Sequence, residues 1–422
     1  MHLIIFSKLL TPRIKYIFNF IFKDILKAEV EFTGNSQYFL QSENVKVSYG
    51  DAPLADELFF KNSSLLLSNK LEDISPKTTT FGEYSVPFPV KDSLLPFDVF
   101  AASFFIVSRY EEYIHQKKNE DDFRFSKSYQ HKWKVLDRPI IDEWALILKS
   151  IIKKKHLNFK FPEKTFTHQP TINLSAVPHA PDGFINRTKF AFSTVFSKEN
   201  NYISSKIDRL TGMAVDNESV LDEVNKMLAN KKIKPIYFID FPNVPLDYLS
   251  SNGISRALVD QSVGLLRPCA SSKEKAGQIR EGILKIKKIH PEQVNLISQQ
   301  LEVLKFPICY LNLIGAGITS DYSMGYADHA GFRAGTCTPF NWYDLQLEKV
   351  TPLIINSYCL TDHLFEHKPI EAARKTLKHY INAVKVVNGS FYSSWRLRSL
   401  STHLKYKKLK TIFNEMLNDA GN

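Results

Sequence analysis

Cysteine is sparse in this chain: Cys269, Cys309, Cys337 and Cys359 are its four cysteines in 422 residues, and no two of them form a Cys-x-x-Cys pair. No Cys/His spacing matches structural zinc, and scattered cysteines in a chain of this size read as reduced thiols of a cytosolic protein. A Gly-x-Ser-x-Gly elbow is missing as well. A serine hydrolase therefore lacks its usual mark, and Cys337 has only distant His329 as a suggestive partner for a cysteine nucleophile. Cys337 is better read as a small buried residue. None of the nucleic-acid modules that a sequence reveals is present, nor any internal repeat or low-complexity tract. Long apolar runs are lacking too. Met1–Leu26 comes nearest, but Lys8, Pro12, Arg13, Lys15, Lys23 and Asp24 interrupt it and no small-residue cleavage site follows. It reads as neither a signal peptide nor a membrane span.

The composition, 44% hydrophobic and 23% charged, is that of a folded protein, and the length is too great for one ordinary core, so two domains are expected. The net charge of +11 is clustered at Lys153–Lys155, Lys231–Lys234, Lys285–Lys288 and Arg396–Lys410. Solvated faces account for these clusters; attraction to anionic glycans, nucleic acid or a membrane surface is the sharper alternative. Ile14, Tyr16, Ile17, Phe20, Ile21 and Ile25 make a helical stripe that reads as docked on the protein's own core, with membrane-surface binding the lesser alternative.

Short strands are expected between Ala28 and Phe60, then one helix over Leu94–Tyr113 and a second over Ile141–Lys154, with a boundary between Lys155 and Gln169. Beyond it strands and helices alternate. Strands fall at Pro170–Ser175, Lys234–Asp240, Ser262–Leu266 and Gly389–Trp395, with helices at Val220–Asn230, Ser272–Lys288 and Ile370–Val387. That alternation argues an α/β layout built on a largely parallel sheet or barrel, with chemistry at the C-terminal ends of the strands. Asp321–Leu345 holds Gly325, Gly331 and Gly335 with Arg333 and Pro339 among aromatics. A loop of this length is ordered for a reason, usually function.

Several blocks together resemble polysaccharide deacetylase-like proteins of bacteria that carry an N-terminal domain of unknown function. They are Thr11-Pro-Arg-Ile-Lys-Tyr-Ile, Ala101-Ala-Ser-Phe-Phe-Ile-Val-Ser-Arg-Tyr-Glu-Glu-Tyr, Arg138-Pro-Ile-Ile-Asp-Glu-Trp-Ala, the 321–345 loop and Phe391-Tyr-Ser-Ser-Trp. The resemblance implies a smaller α+β domain over 1–160 and, over 165–422, a distorted (β/α) barrel of the NodB-homology type, carbohydrate esterase family 4. That class uses a divalent metal such as zinc on one Asp and two His, a second Asp as base and a His as acid. The metal polarises the amide carbonyl and activates water, and the acid protonates the leaving amine.

At the positions that resemble these motifs the chain differs. Asn173 and Ser175 stand where two aspartates are expected, Leu266 and Gln300 where two histidines are expected, and Arg396 where the acid is expected. An amide does not accept a proton at neutral pH, a neutral hydroxyl is a poor ligand for a hard cation, and arginine stays charged. Arg333 is kept and either holds an anion or braces its loop, while Pro339, Phe340 and Trp395 would shape a substrate pocket. The reading is a catalytically silent glycan-binding or regulatory module with no bound metal. Its ligand would be a polysaccharide or oligosaccharide, and it would work beside an active paralogue or a glycan-synthesis enzyme, in the cytosol.

The alternative is a live hydrolase with a relocated site, for which His179, Asp182, Asp240, Cys269, His290, Asp328 and His329 are candidates, although no pair of them shows a spacing such as His-x-x-x-His. In the N-terminal part Arg109, Glu111, Glu112, Asp142, Glu143 and Trp144 form a charged-aromatic set that helix-surface ion pairs or a domain interface would explain; an interface with the barrel is preferred, with Arg109 and Asp142 paired across it.

Overall fold

The structure, a computed structural model, describes residues 2–118, 123–174, 217–240, 254–290, 294–299 and 304–421. Four consecutive buried apolar residues make β1 (Leu3–Phe6). A run this short has no periodicity to separate strand from helix, so the sequence does not announce it. β1 pairs with β2 (Val30–Thr33) and β3 (Val45–Gly50), and β3 with β4 (Leu58–Lys61), all in parallel, in the order β2-β1-β3-β4. Parallel strands need crossovers. The first is the helix Pro12–Phe18, whose N-terminus Thr11 caps by accepting from the Ile14 N–H at 3.1 Å, continued by the π-helix Asn19–Ile25. Every member of the stripe read from Ile14 to Ile25 is buried against the protein itself. The α+β expectation for this region is thereby corrected to a parallel sheet, accompanied by an antiparallel hairpin of β5 (Thr78–Phe81) and β6 (Tyr84–Pro87).

The helix expected over Leu94–Tyr113 is two helices, Val99–Val107 and Tyr110–Lys117. Arg109 separates them in the left-handed region, at φ 56°. That conformation costs a non-glycine residue roughly 1–2 kcal/mol, which the side chain's hydrogen bonds, described below, offset. The helix Ile140–Lys155 falls where expected.

The larger sheet has nine strands: β7 (Thr167–Leu174), β8 (Ile236–Asp240), β9 (Ser262–Arg267), β10 (Leu296–Gln299), β11 (Ser320–Asp321), β12 (Phe340–Asp344), β13 (Lys349–Ile355), β14 (Leu360–Thr361) and β15 (Ser390–Arg396). Their order is β12-β13-β11-β10-β9-β8-β7-β15-β14, parallel throughout except for β12 on β13. This is a mixed α/β architecture. β12 and β14 are the sheet's ends, and among the described residues no pairing joins them, so hydrogen bonding does not close a barrel.

A single apolar cluster runs from Leu3 and Ile5 through Phe104 and Trp144 to Ile172, Leu265, Trp395 and Phe413, so both sheets share buried contacts. A smaller cluster of Ile236, Phe238, Leu266, Tyr322, Tyr358 and Tyr392 gathers on the larger sheet. Cys269 and Cys309 are bonded, with Cα atoms 6.0 Å apart, because the segment after β9 lies beside the helix Ile308–Gly315. That corrects the reading of all four cysteines as reduced thiols. Cys337 and Cys359 are free and buried. Among the described residues no helix is long and apolar enough to cross a membrane.

Arg13 ties the first crossover to the β12–β13 turn. Its Nε donates to Glu348 at 2.9 Å, and its Nη1 and Nη2 donate to the carbonyls of Leu65 and Lys70 at 2.9 and 3.1 Å. Arg13 is fully buried. Removing one partner of such a pair strands the other, at roughly 3–5 kcal/mol. Arg13→Ala is therefore expected to lower unfolding stability by about that amount in urea titration; a loss below about 1 kcal/mol would show the pair to be dispensable.

Candidate functional site

The parallel strands bring several of the sequence-predicted positions to one edge. Asn173, near the end of β7, lies in register with Arg396 of β15 on one side and Phe238 of β8 on the other. Leu266 of β9 is opposite Asp240 of β8 and Ser298 of β10. Ser175, Gln300, His179 and Asp182 lie outside the described residues. Asn173 donates from Nδ2 to Ser394 Oγ at 3.2 Å, and its Oδ1 has no hydrogen-bond partner among the described residues. Leu266 is buried in the tyrosine-rich cluster and has no donor atom to offer.

Arg396 is not the free cation that the sequence suggested. Its Nε and backbone N–H donate to Asp362 Oδ2 at 2.9 and 3.1 Å, and its Nη2 contacts Glu366. Two carboxylates neutralise the guanidinium, so its charge sets up little repulsion towards a nearby cation. Of the altered motif positions, the three described ones offer an amide, an alkyl group and a guanidinium, which do not fit a divalent metal, and the register partner of Leu266, Asp240, is the one described carboxylate residue paired with them in the sheet. Among the described residues no three His, Cys, Asp or Glu side chains are grouped so as to hold one.

The residues expected to form a substrate pocket have other duties. Trp395 is buried, packed edge-on against Phe413 at 5.0 Å, and its indole N–H donates to Ser393 Oγ at 3.1 Å. Phe340 is buried against Phe20, at 5.9 Å. Neither presents a face to a sugar. Pro339, half-buried, is the residue before β12.

Each nitrogen of the Arg333 guanidinium has a partner. Nε and Nη2 donate to the two oxygens of Glu112 at 2.9 and 2.5 Å, Nη1 donates to the Gly325 carbonyl at 3.0 Å, and the Tyr326 ring lies 5.1 Å from the guanidinium. Of the two roles read for Arg333, bracing the loop is the one its contacts describe.

That bracing comes from the N-terminal third. Arg109 donates to Glu112 and Gln130 at 2.9 Å each and contacts the Arg333 carbonyl. Gln130 Nε2 donates to the Phe332 carbonyl at 2.9 Å, and the Phe332 N–H to the Leu136 carbonyl at 2.8 Å. Asp142 accepts from the Thr336 hydroxyl, the Cys337 N–H and the Thr338 hydroxyl, at 2.6, 3.1 and 2.5 Å. The expected Arg109–Asp142 pair is thus corrected. Both residues grip the same loop, at separate points, and not each other. Glu111 receives the Tyr129 N–H, Glu143 pairs with Arg138, and Trp144 packs on Phe97. Gly335 is required by the grip. At φ 67° it allows the tight approach, and a Cβ there would sit 2.5 Å from Ile106.

Of the described relocated-site candidates, Asp328 and His329 share one cleft, while Asp240, Cys269 and His290 are engaged elsewhere. Asp240 lies 3.8 Å from Arg267, Cys269 is in the disulfide, and His290 bonds the Gln261 carbonyl at 3.1 Å, at the opposite edge of the sheet. Cys337 is sealed, and burial pushes its thiol well up, away from nucleophilic character. Two features escaped the sequence reading. Asp321, at the end of β11, is wholly buried and accepts from Ser323 N–H and Oγ, Gln299 Nε2 and Tyr310 Oη. Burial pushes its carboxyl up to about 6 against those donors. The other is a cleft rich in histidine, two of which, His363 and His367, stand four residues apart, a spacing visible in the sequence.

Residues 3–157 match a family of unknown function (DUF7033). No curated protein matches. Solved structures with a similar trace include a putative polysaccharide deacetylase from Mycobacterium smegmatis, 10% identical, TM-score 0.39, covering 62% of this chain and 86% of that one. Another is a probable polysaccharide deacetylase from Pseudomonas aeruginosa PAO1, 9% identical, TM-score 0.39, covering 60% and 84%. A third is a CE4 family pseudoenzyme from Bacillus anthracis, 8% identical, TM-score 0.31, covering 61% of this chain and 60% of that one. With TM-scores below 0.5, none carries its chemistry to this chain.

Two outcomes follow from the buried carboxylates. Burial raises the Glu112 pKa, and Arg333 and Arg109 overcome it to hold the group below its ordinary value. Its contribution to stability is therefore full above the ordinary carboxylate range and lost as pH falls through the lowered pKa. Glu112→Gln is expected to cost roughly 3–5 kcal/mol at pH 7, less in strong acid; a pH-independent cost would refute the ion-pair account. Asp321 runs the other way. Its folded pKa lies above the unfolded value, so its contribution weakens as pH rises through the window between them. Carbon-13 titration of its carboxyl should show a midpoint near 6, and a midpoint at or below the ordinary carboxylate value would contradict it.

Proposed function

We propose that this is a polysaccharide deacetylase-like α/β protein that does not hydrolyse its ligand and serves as a glycan-binding or regulatory module without a resident metal. The observation that carries the proposal is the chemistry at the strand ends. Asn173, Leu266 and the doubly paired Arg396 supply neither a base, nor an acid, nor a cation's ligands. The motif resemblance across the chain supports the glycan class of ligand, a polysaccharide or oligosaccharide.

The competing reading, an active hydrolase that removes acetyl groups from a relocated site, would draw on Asp240, whose described ionic neighbour is Arg267. The test is elemental analysis of the purified protein together with acetate release from N-acetylated oligosaccharides, followed by affinity electrophoresis in a panel of polysaccharides. Metal at trace level, acetate at the buffer background and retardation by at least one polysaccharide are expected. Acetate release that a chelator abolishes, or that Asp240→Ala abolishes, would overturn the proposal.

A further inference from the structure

The glycine-rich loop, the turn Asp362–Phe365 and the helix Ile370–Val386 enclose a cleft of about 640 Å³, ample for a small molecule or a short saccharide. Four histidines line it: His329 from the loop, His363 and His367 from the turn and the residues after it, and His379 from the helix. Lys368 and Lys375 are set against Asp137 and Asp328 on the same walls. Two ammonium groups and two carboxylates balance while the imidazoles are neutral. Protonation of the histidines adds four positive charges with no further carboxylate on the lining among the described residues.

The surroundings lean the same way. Glu366, which lies 3.3 Å from His363 Nδ1, is already engaged by Arg396. Lys408 Nζ sits behind, donating to the carbonyls of Glu366 and Lys368 at 2.7 and 2.9 Å. His131 stands 6.5 Å from His329, ring to ring. His379 Nε2 is 3.2 Å from the Asp137 carbonyl and 3.5 Å from its carboxylate.

The ring nitrogens have assignable roles. His329 is stacked on Phe125 at 3.8 Å, and its Nδ1 lies 2.5 Å from the Ala330 carbonyl. A carbonyl only accepts, so Nδ1 carries the proton and Nε2 is the atom that gains one and turns from acceptor to donor. The same logic fixes the proton of His379 on Nε2 and leaves Nδ1 to gain one.

We propose that this cleft is a binding site for an anionic ligand bearing carboxylate or phosphoryl groups, held by Lys368 and Lys375 and strengthened when the histidines protonate. Imidazoles change charge in roughly the pH 5–8 range, so the site loads as the medium turns mildly acidic. Burial lowers the pKa of His329, making it late to charge. The two lysines and the lack of a converging trio of ligands among the described residues argue against a metal cation. The inference does not rest on the deacetylase-like reading: Asp328, His329 and Ala330 lie in the 321–345 loop that shares the resemblance, but no lining residue stands at one of the substituted catalytic positions.

Isothermal titration with sulfate, a tetrahedral dianion of constant charge, and with trigalacturonate, a carboxylated saccharide, at pH 5.5 and 7.5 tests it. Binding of at least one probe should be about tenfold tighter at the lower pH. A preference for sulfate would assign a phosphoryl ligand, and a preference for trigalacturonate an acidic saccharide. The double variant His363→Gln/His367→Gln should lose most of the pH dependence, and Lys368→Gln/Lys375→Gln should weaken binding at both pH values. All four side chains are exposed or half-exposed, so unchanged melting of both variants is expected to confirm intact folding. Failure of both probes to bind at pH 5.5, equal affinity at the two pH values, or an unaltered pH ratio in the histidine variant would overturn the proposal. So would saturable zinc binding abolished by His363→Gln.

Discussion

Glu112 is buried between two arginines, and much of the loop architecture hangs on that contact. One carboxylate receives Arg109 from its own helix turn and Arg333 from a loop more than two hundred residues away. Two cations near one anion would leave a buried excess of charge, but neither arginine relies on Glu112 alone. Arg109 also reaches Glu111 and Gln130, and Arg333 the Gly325 carbonyl. Buried charge is tolerated when its groups are paired and hydrogen-bonded, and here every nitrogen of both guanidinium groups has a partner. The left-handed backbone at Arg109 is part of the same arrangement, since it breaks the helix where the side chain must turn towards the loop.

The consequence is that the glycine-rich segment is an internal fastening. Glu112, Gln130, Leu136, Ile141 and Asp142 hold it at successive residues from Phe332 to Thr338, and Arg13 holds the following turn at Glu348. The parallel sheet of the N-terminal third and the nine-stranded sheet are therefore joined by a chain of buried polar contacts on top of a common apolar core. Such contacts specify geometry more than they add net stability, because desolvation offsets most of the Coulomb gain.

Much of this was legible in the sequence, and the rest was hidden for identifiable reasons. The stripe from Ile14 to Ile25, the helix Ile140–Lys155 and the strands at β7, β8, β9 and β15 showed through periodicity or buried β-branched and aromatic runs. β1 was too short to show any period, and the break at Arg109 follows from a tertiary contact with Arg333, which no local pattern encodes. Asn173 and Arg396, read in the sequence as altered motif positions, are register neighbours near the ends of their strands, but the carboxylates that neutralise Arg396 come from a separate turn. Trp395 and Phe340 look like sugar-stacking groups in a sequence because aromatic type does not reveal burial. The disulfide was invisible because forty residues separate its cysteines. The histidine cleft draws on three separate segments, and only its His363–His367 spacing was local enough to see.

The central claim is that Arg333 is bound to Glu112 as a fastening and is not held in reserve for a ligand. A double-mutant cycle with Glu112→Gln and Arg333→Met, read by chemical denaturation at neutral pH, tests it most directly. The account predicts a coupling energy of about 2 kcal/mol or more, with the double variant closer to the parent than the sum of the single losses implies. Additive losses, within about 0.5 kcal/mol, would show that the two side chains do not depend on each other and would contradict it.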